Sequence, residues 1–157
     1  MQTLSTPSLY EAKKTLSKRE RNSVIWIADN GFVYKKQPKY LTDNEWHALR
    51  SMGFLLPRFV PVAWRVEDEI IRMEFIEAQP ITNTSLFMSH YDEILRIMRY
   101  ANLRHGDLTE YSVIPHKNRP ILIDWAESRT WDDPRPDKRR EGDAYWLKRT
   151  MEKLCTS

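Results

Sequence analysis

Apolar residues in the first half of the chain come in short runs bounded by turn formers, the pattern of a small antiparallel sheet. SVIWIA (23–28) and FVYKKQ (32–37) flank Asp29-Asn30-Gly31. Asn and Gly accept the positive φ of a tight β-turn, so this stretch predicts a hairpin. PVAWRV and IIRMEF predict a second hairpin around Glu67-Asp68-Glu69. Residues 42–52 have helical spacing, with Thr42 and Glu45 as a capping box and Gly53 as the stop. A short basic helix is expected over residues 8–18, opened by Ser8 and Glu11 in the same box spacing.

The second half changes period. Ile94, Leu95, Met98 and Ala101 predict a helix over residues 89–103, with Ser89 as its N-cap. Two short strands, SVIP and ILID, follow around HKNRP, then a polar, proline-containing stretch from 130 to 140. A final helix sets Ala144, Leu147, Met151 and Leu154 on one face. The boundary falls near residues 78–80, with MEFIEAQPI as the connection, and there is no internal repeat. The expected class is α+β.

Composition narrows the setting. The chain has 157 residues, six Trp, seven Tyr and five Phe, enough aromatic mass for one packed domain despite 30% charged residues. The lone Cys155 can form no disulfide within the chain, which suits a reducing, cytoplasmic setting. No apolar run reaches the roughly 18 residues of a membrane span, and the start lacks the apolar core of a signal peptide. A net charge of +3 suits an anionic ligand but is too mild to point to nucleic acid. The basic runs KKTLSKRER and RPDKRRE read as solvated faces.

The chemistry lies in LRHGDLTEYSVIPHKNRPILIDWAES, where Asp124 follows Asp107 by seventeen residues. Phosphoryl transfer needs one carboxylate near the acceptor hydroxyl, a second on Mg²⁺, and a lysine on the nucleotide phosphates. His105-Gly106-Asp107-Leu108 with Ile123-Asp124-Trp125 resembles the catalytic loop and metal-binding segment of the protein-kinase-like superfamily. The resemblance is nearest to the atypical branch of RIO kinases and the small kinase of the KEOPS complex. Its loop reads H-G-D-L-[ST]-E-Y-N, and HGDLTEYS matches seven of those eight positions. The Ile-Asp-Trp form also resembles aminoglycoside and choline kinases.

The resemblance spans roughly residues 24–150. It implies one two-lobed, protein-kinase-like domain over residues 1–157, with a small antiparallel-sheet N-lobe (about 1–77) and a truncated helical C-lobe (about 78–157). It implies ATP and Mg²⁺ (or Mn²⁺) as cofactors, with Asp107 orienting the acceptor hydroxyl and Asp124 on the metal. Lys35 matches the nucleotide lysine, and Lys36 points to the other face of a regular strand. Val33 and Met73 would line the adenine pocket, and the backbone at Glu74 and Ile76 would hydrogen-bond the base. Glu45 resembles the helix glutamate that holds the lysine, though its box spacing also fits a cap. Asp143 resembles the aspartate bracing the catalytic loop, or serves as an N-cap. His105 reads as a structural hydrogen-bonding residue and Trp125 as core.

Two positions depart from the family pattern. Ser112 stands where the family's metal-binding Asn falls, offering a hydroxyl as a weaker Mg²⁺ ligand. No glycine precedes the first hairpin, so the phosphate-cradling loop is absent, and Lys18, Arg19 or Arg21 would have to contact phosphates instead. Three functions follow from the resemblance. The first is an ATP-dependent kinase acting on Ser or Thr of a protein, with a partner protein completing the short C-lobe. The second is a degenerate kinase-fold module that holds nucleotide or a partner without turnover. The third is a small-molecule kinase.

Overall fold

The computed structural model describes residues 12–17 and 23–156. Five strands form one antiparallel sheet in the order β1-β2-β3-β5-β4: β1 Ala12–Ser17, β2 Val24–Ala28, β3 Val33–Lys36, β4 Ala63–Glu67 and β5 Ile70–Met73. Both expected hairpins are present. Gly31 sits at φ +83° in the first, and Asn30 Oδ1 accepts the Phe32 N–H at 3.0 Å. The helix expected over residues 8–18 is not found in its described part, where residues 12–17 are a strand antiparallel to β2. Pairing with a neighbouring strand outweighs a local capping pattern. Residues 1–11 and 18–22, including Lys18, Arg19 and Arg21, lie outside the described residues.

The two faces of the sheet are used differently. Trp26, Ala28, Tyr34 and Ile70 form a small cluster on one side, with the Trp26 and Tyr34 rings stacked 5.4 Å apart. The other side, with Ile71 and Met73, packs on helix α1 (Lys39–Leu55) through Ala48, Leu49 and Met52. Lys35 is paired with Ile25 and Ile71 in register, so it projects from β3 toward α1.

Helix α1 starts three residues before the expected Thr42 and runs through Gly53. Pro38 precedes it with φ −51°, already suited to helix entry. Thr42 is inside the helix, its hydroxyl donating to the carbonyls of Gln37 and Pro38, so no capping box forms and the Glu45 carboxylate is released for other work. Gly53 costs the helix roughly 1 kcal/mol, too little to end it where Met52 and Leu56 are buried on either side.

The helix expected over 89–103 is present but shorter, and a second short helix that was not expected precedes it. Asn83 caps α2 (Thr84–Ser89) by accepting the Leu86 N–H, and Ser89 is its last residue rather than an N-cap. Helix α3 (Tyr91–Tyr100) buries Ile94 and Met98. It ends in a Schellman turn: Asn102 is at φ +58°, Leu103 N–H donates to Met98 O, and Asn102 N–H to Arg99 O. The hairpin of β6 (Val113–His116) and β7 (Arg119–Leu122) turns through Lys117 and Asn118, both left-handed. Helix α4 (Gly142–Thr156) buries Asp143, Leu147, Thr150 and Met151, while Ala144 faces outward, against expectation. The buried stripe begins one residue earlier because Asp143 has backbone partners inside.

Asn102 is where the chain leaves α3 for the His105–Asp107 loop. Asn102→Ala is expected to cost roughly 1–2 kcal/mol, because alanine tolerates the left-handed region poorly. A thermal melt should fall by about 2–8 °C, with Asn102→Gly recovering most of the loss.

Candidate active site

An apolar cavity opens between the sheet and the β6–β7 hairpin. Ile25, Val33 and Met73 line it from the sheet, Ile114 and Ile123 from the hairpin side, and Glu74, Phe75 and Ile76 along the connection. Its inner end is charged, and three side chains converge there. Lys35 Nζ lies 2.7 Å from Asp124 Oδ1 and 2.8 Å from Glu45 Oε1. Lys35 is 3% exposed and Glu45 fully buried, so the pair sits where water screens it little.

Burial alone would depress the Lys35 pKa, but Glu45 and Asp124 together hold it above the ordinary lysine value of 10.5. The sign fixes the pH behaviour. A raised lysine contributes its full stabilisation below the ordinary value and loses it only as pH climbs through the raised one. Lys35 therefore stays charged throughout the neutral range.

Glu45 joins three elements. Its Oε1 takes Lys35 and the buried Gln37 Nε2 at 2.8 Å, and its Oε2 accepts the Trp125 N–H at 2.9 Å. The segment after β7 is thus hung from α1. Asp124 itself is left-handed, φ +68° and ψ +53°, a conformation Asp tolerates better than most residues. The 3₁₀ turn Trp125–Glu127 follows, with the Trp125 ring fully buried in the core.

His105 ties the two aspartate segments together. Its Nε2 meets Ile123 O at 2.8 Å, and its Nδ1 accepts the Asp107 N–H at 3.3 Å, so the neutral ring carries its proton on Nε2. Both nitrogens are engaged, which leaves the ring no role as a base. Asp143 braces the same loop, accepting His105 N–H at 2.7 Å and Gly106 N–H at 3.0 Å. Gly106, at φ +83°, has room for no side chain, since a Cβ there would stand 2.9 Å from Glu127 O.

Ser112 is 1% exposed and turned into the loop: its hydroxyl donates to Asp107 O at 3.1 Å and stands 3.3 Å from Thr109 Oγ1. It is absent from the cavity wall. The Glu74 N–H is taken by Val62 O at 2.9 Å, and the Glu74 carboxylate accepts the Val62 N–H. Among the described residues no backbone hydrogen bond engages the Glu74 carbonyl or the Ile76 N–H, the two groups left at the cavity edge.

Lys35, Glu45 and Asp124 are brought together, with Val33, Met73, Glu74 and Ile76 around the same cavity. His105 links the Asp107 loop to the segment carrying Asp124, but neither Asp107 nor Ser112 lines the cavity. Sequence reasoning missed Ile25, Ile114 and Ile123 in the cavity wall. Strand register could have found Ile25, which pairs with Lys35. The run RPDKRRE is largely solvated, as expected, and in addition brings Lys138 Nζ and Arg139 Nε to 3.7 and 4.0 Å from the Asp107 carboxylate.

The donor set suits one Mg²⁺. Mg²⁺ is usually held by one or two carboxylates together with nucleotide phosphates and water, and Asp124 at the charged end of the cavity supplies the carboxylate. A cluster of three or more His, Cys, Asp or Glu is not found among the described residues, and the Ser112 hydroxyl is spent inside its loop.

Replacing Lys35 by Met would leave two carboxylates facing each other without their shared cation. Urea unfolding near neutral pH should show a loss of about 3–5 kcal/mol.

Comparison with known proteins places this geometry. The sequence model described as the RIO domain matches residues 11–155. Curated protein sequences give no match. Among solved structures, the chain is similar to a Rio2 kinase–ADP/Mg²⁺–phosphoaspartate complex from Chaetomium thermophilum, with a TM-score of 0.58 and 16% identity. The alignment covers 92% of this chain and 52% of that one, so this chain spans about half the length of that relative. It is also similar to the ADP-bound aminoglycoside phosphotransferase APH(2'')-Ib, with a TM-score of 0.54 and 12% identity, over 95% of this chain and 79% of that one. The fold is that of the protein-kinase-like proteins, with a small antiparallel-sheet part and a helical part. With nearly its whole length matched by the RIO domain, the chain belongs to the RIO family.

Proposed function

We propose that this chain is an ATP- and Mg²⁺-dependent phosphotransferase that moves the γ-phosphate to a hydroxyl, that of Ser or Thr in a protein. The observation that carries this reading is Lys35 held between Glu45 and Asp124 at the end of an apolar cavity. A buried lysine with two carboxylates is costly to keep unless charge is needed there. RIO membership supports the reading, as do the ADP-bound states of the two similar structures.

Each residue then has a role. Adenine lies between Val33 and Met73, its edge on the Glu74 carbonyl and the Ile76 N–H. Lys35 turns from Asp124 to the phosphates and keeps Glu45 as its anchor. Asp124 and the phosphates hold one Mg²⁺ or Mn²⁺, which neutralises charge on the transferred group. Asp107 accepts a hydrogen bond from the acceptor hydroxyl and takes its proton late in the transfer.

A specific observation favours a second reading, a nucleotide-binding module without turnover: the Ser112 hydroxyl is bonded into its own loop, which removes one metal ligand. Transfer of label from γ-labelled ATP separates the two. Wild type should label a protein acceptor, and Asp107→Ala and Asp124→Ala should each lose roughly 10²- to 10⁴-fold. An absence of transfer with Mg²⁺ or Mn²⁺, alongside ATP-dependent thermal stabilisation, would favour the module. Label removed by hydroxylamine would place the phosphoryl group on a carboxylate and contradict hydroxyl transfer.

A further inference from the structure

The run from Asp137 to Arg139 is fastened across the catalytic loop. Arg104 makes an ion pair with Asp137 at 3.1 Å, and the Arg139 N–H donates to Gly106 O at 3.3 Å. The Arg139 guanidinium lies over the Trp146 ring of α4, 4.4 Å from its centroid. An added Cβ at Gly106 would clash with Glu127 O at 2.9 Å, while Asp137 Oδ1 would lie at an ordinary contact distance of 3.6 Å. Two partly exposed cations thereby face Asp107: Lys138 Nζ 3.7 Å from Oδ2 and Arg139 Nε 4.0 Å from Oδ1.

Charge explains why they would be wanted. Lys35 is already matched by two carboxylates at 2.7 and 2.8 Å, leaving that cluster with a net negative charge, to which Asp107 adds another. A triphosphate brought to this wall meets repulsion, and a single divalent ion offsets only part of it. Further positive charge counts most beside the transferred group, where the acceptor oxygen arrives.

We propose that Lys138 and Arg139 bind the γ-phosphate of ATP and neutralise it during transfer. The inference rests on the phosphotransferase reading. In the step they assist, the acceptor oxygen forms a bond to the γ-phosphorus while the bond to the bridging oxygen breaks, its electron pair leaving with ADP. The acceptor proton passes to Asp107. The two cations face equatorial oxygens of the phosphoryl group and take no proton.

The test compares ATP with ADP binding by calorimetry in EDTA, so that no metal contributes, for wild type, Lys138→Met, Lys138→Arg and Lys138→Met/Arg139→Gln. Wild type should bind ATP about tenfold more tightly than ADP, and the double variant should lose that difference while its ADP affinity stays near wild type. Lys138→Arg should retain it. In the Mg²⁺ label-transfer assay, Lys138→Met should lower kcat about a hundredfold with little change in KM for ATP. An ATP preference unchanged in the double variant would overturn the proposal, as would higher turnover in Lys138→Met, which would make the run an inhibitory cover. If wild type binds neither nucleotide in EDTA or in a parallel titration with Mg²⁺, the phosphotransferase reading itself fails; unchanged preference with intact binding fails this inference alone.

Discussion

A fully buried carboxylate, that of Glu45, is the constraint on which the rest of the structure depends. One of its oxygens holds Lys35 and Gln37 from the sheet side, and the other holds the backbone N–H of Trp125 from the helical side. Burying such a group unpaired would cost several kcal/mol, so its partners must be in place for the chain to fold. Position follows from this requirement. Helix α1 is drawn against the sheet, Lys35 is held at the end of the cavity, and the segment carrying Asp124 is brought within 2.7 Å of the lysine.

A second set of bonds carries the same order from Asp124 to Asp107. His105 spans the gap with one nitrogen on each segment, and its ring lies 4.7 Å from that of Trp125. Asp143 then satisfies two consecutive loop N–H groups from the start of α4. The loop is held from both sides by buried polar groups whose partners are all backbone or charge. Its geometry is therefore set by the chain's own bonds, the preorganisation that the proposed transfer would require.

Much of this was legible in the sequence because its signals are local. Asn-Gly turns, strand alternation and the HGDLTEYS and IDW segments each carry their information within a few residues. What misled was also local. Thr42 and Glu45 have capping-box spacing, yet Glu45 is worth more to the fold against Lys35, and Thr42 turns back to carbonyls at the helix start. Residues 8–18 carry another such box, yet their described part pairs with β2. Ser112 shows the opposite limit: its position suggested a metal ligand, while the bond that its hydroxyl makes to Asp107 O could not be read from spacing. Lys138 and Arg139 could not be placed from spacing at all, because contacts among Asp137, Arg104 and Gly106 bring them over Asp107.

The central claim is that Glu45 positions Lys35 for nucleotide phosphates. Calorimetric titration of Glu45→Gln with Mg·ATP and with adenosine addresses it most directly, because the substitution keeps the side-chain volume and removes the charge. ATP affinity should fall about tenfold or more while adenosine binding stays within about twofold of wild type. Equal losses for both ligands, or no loss for ATP, would contradict it.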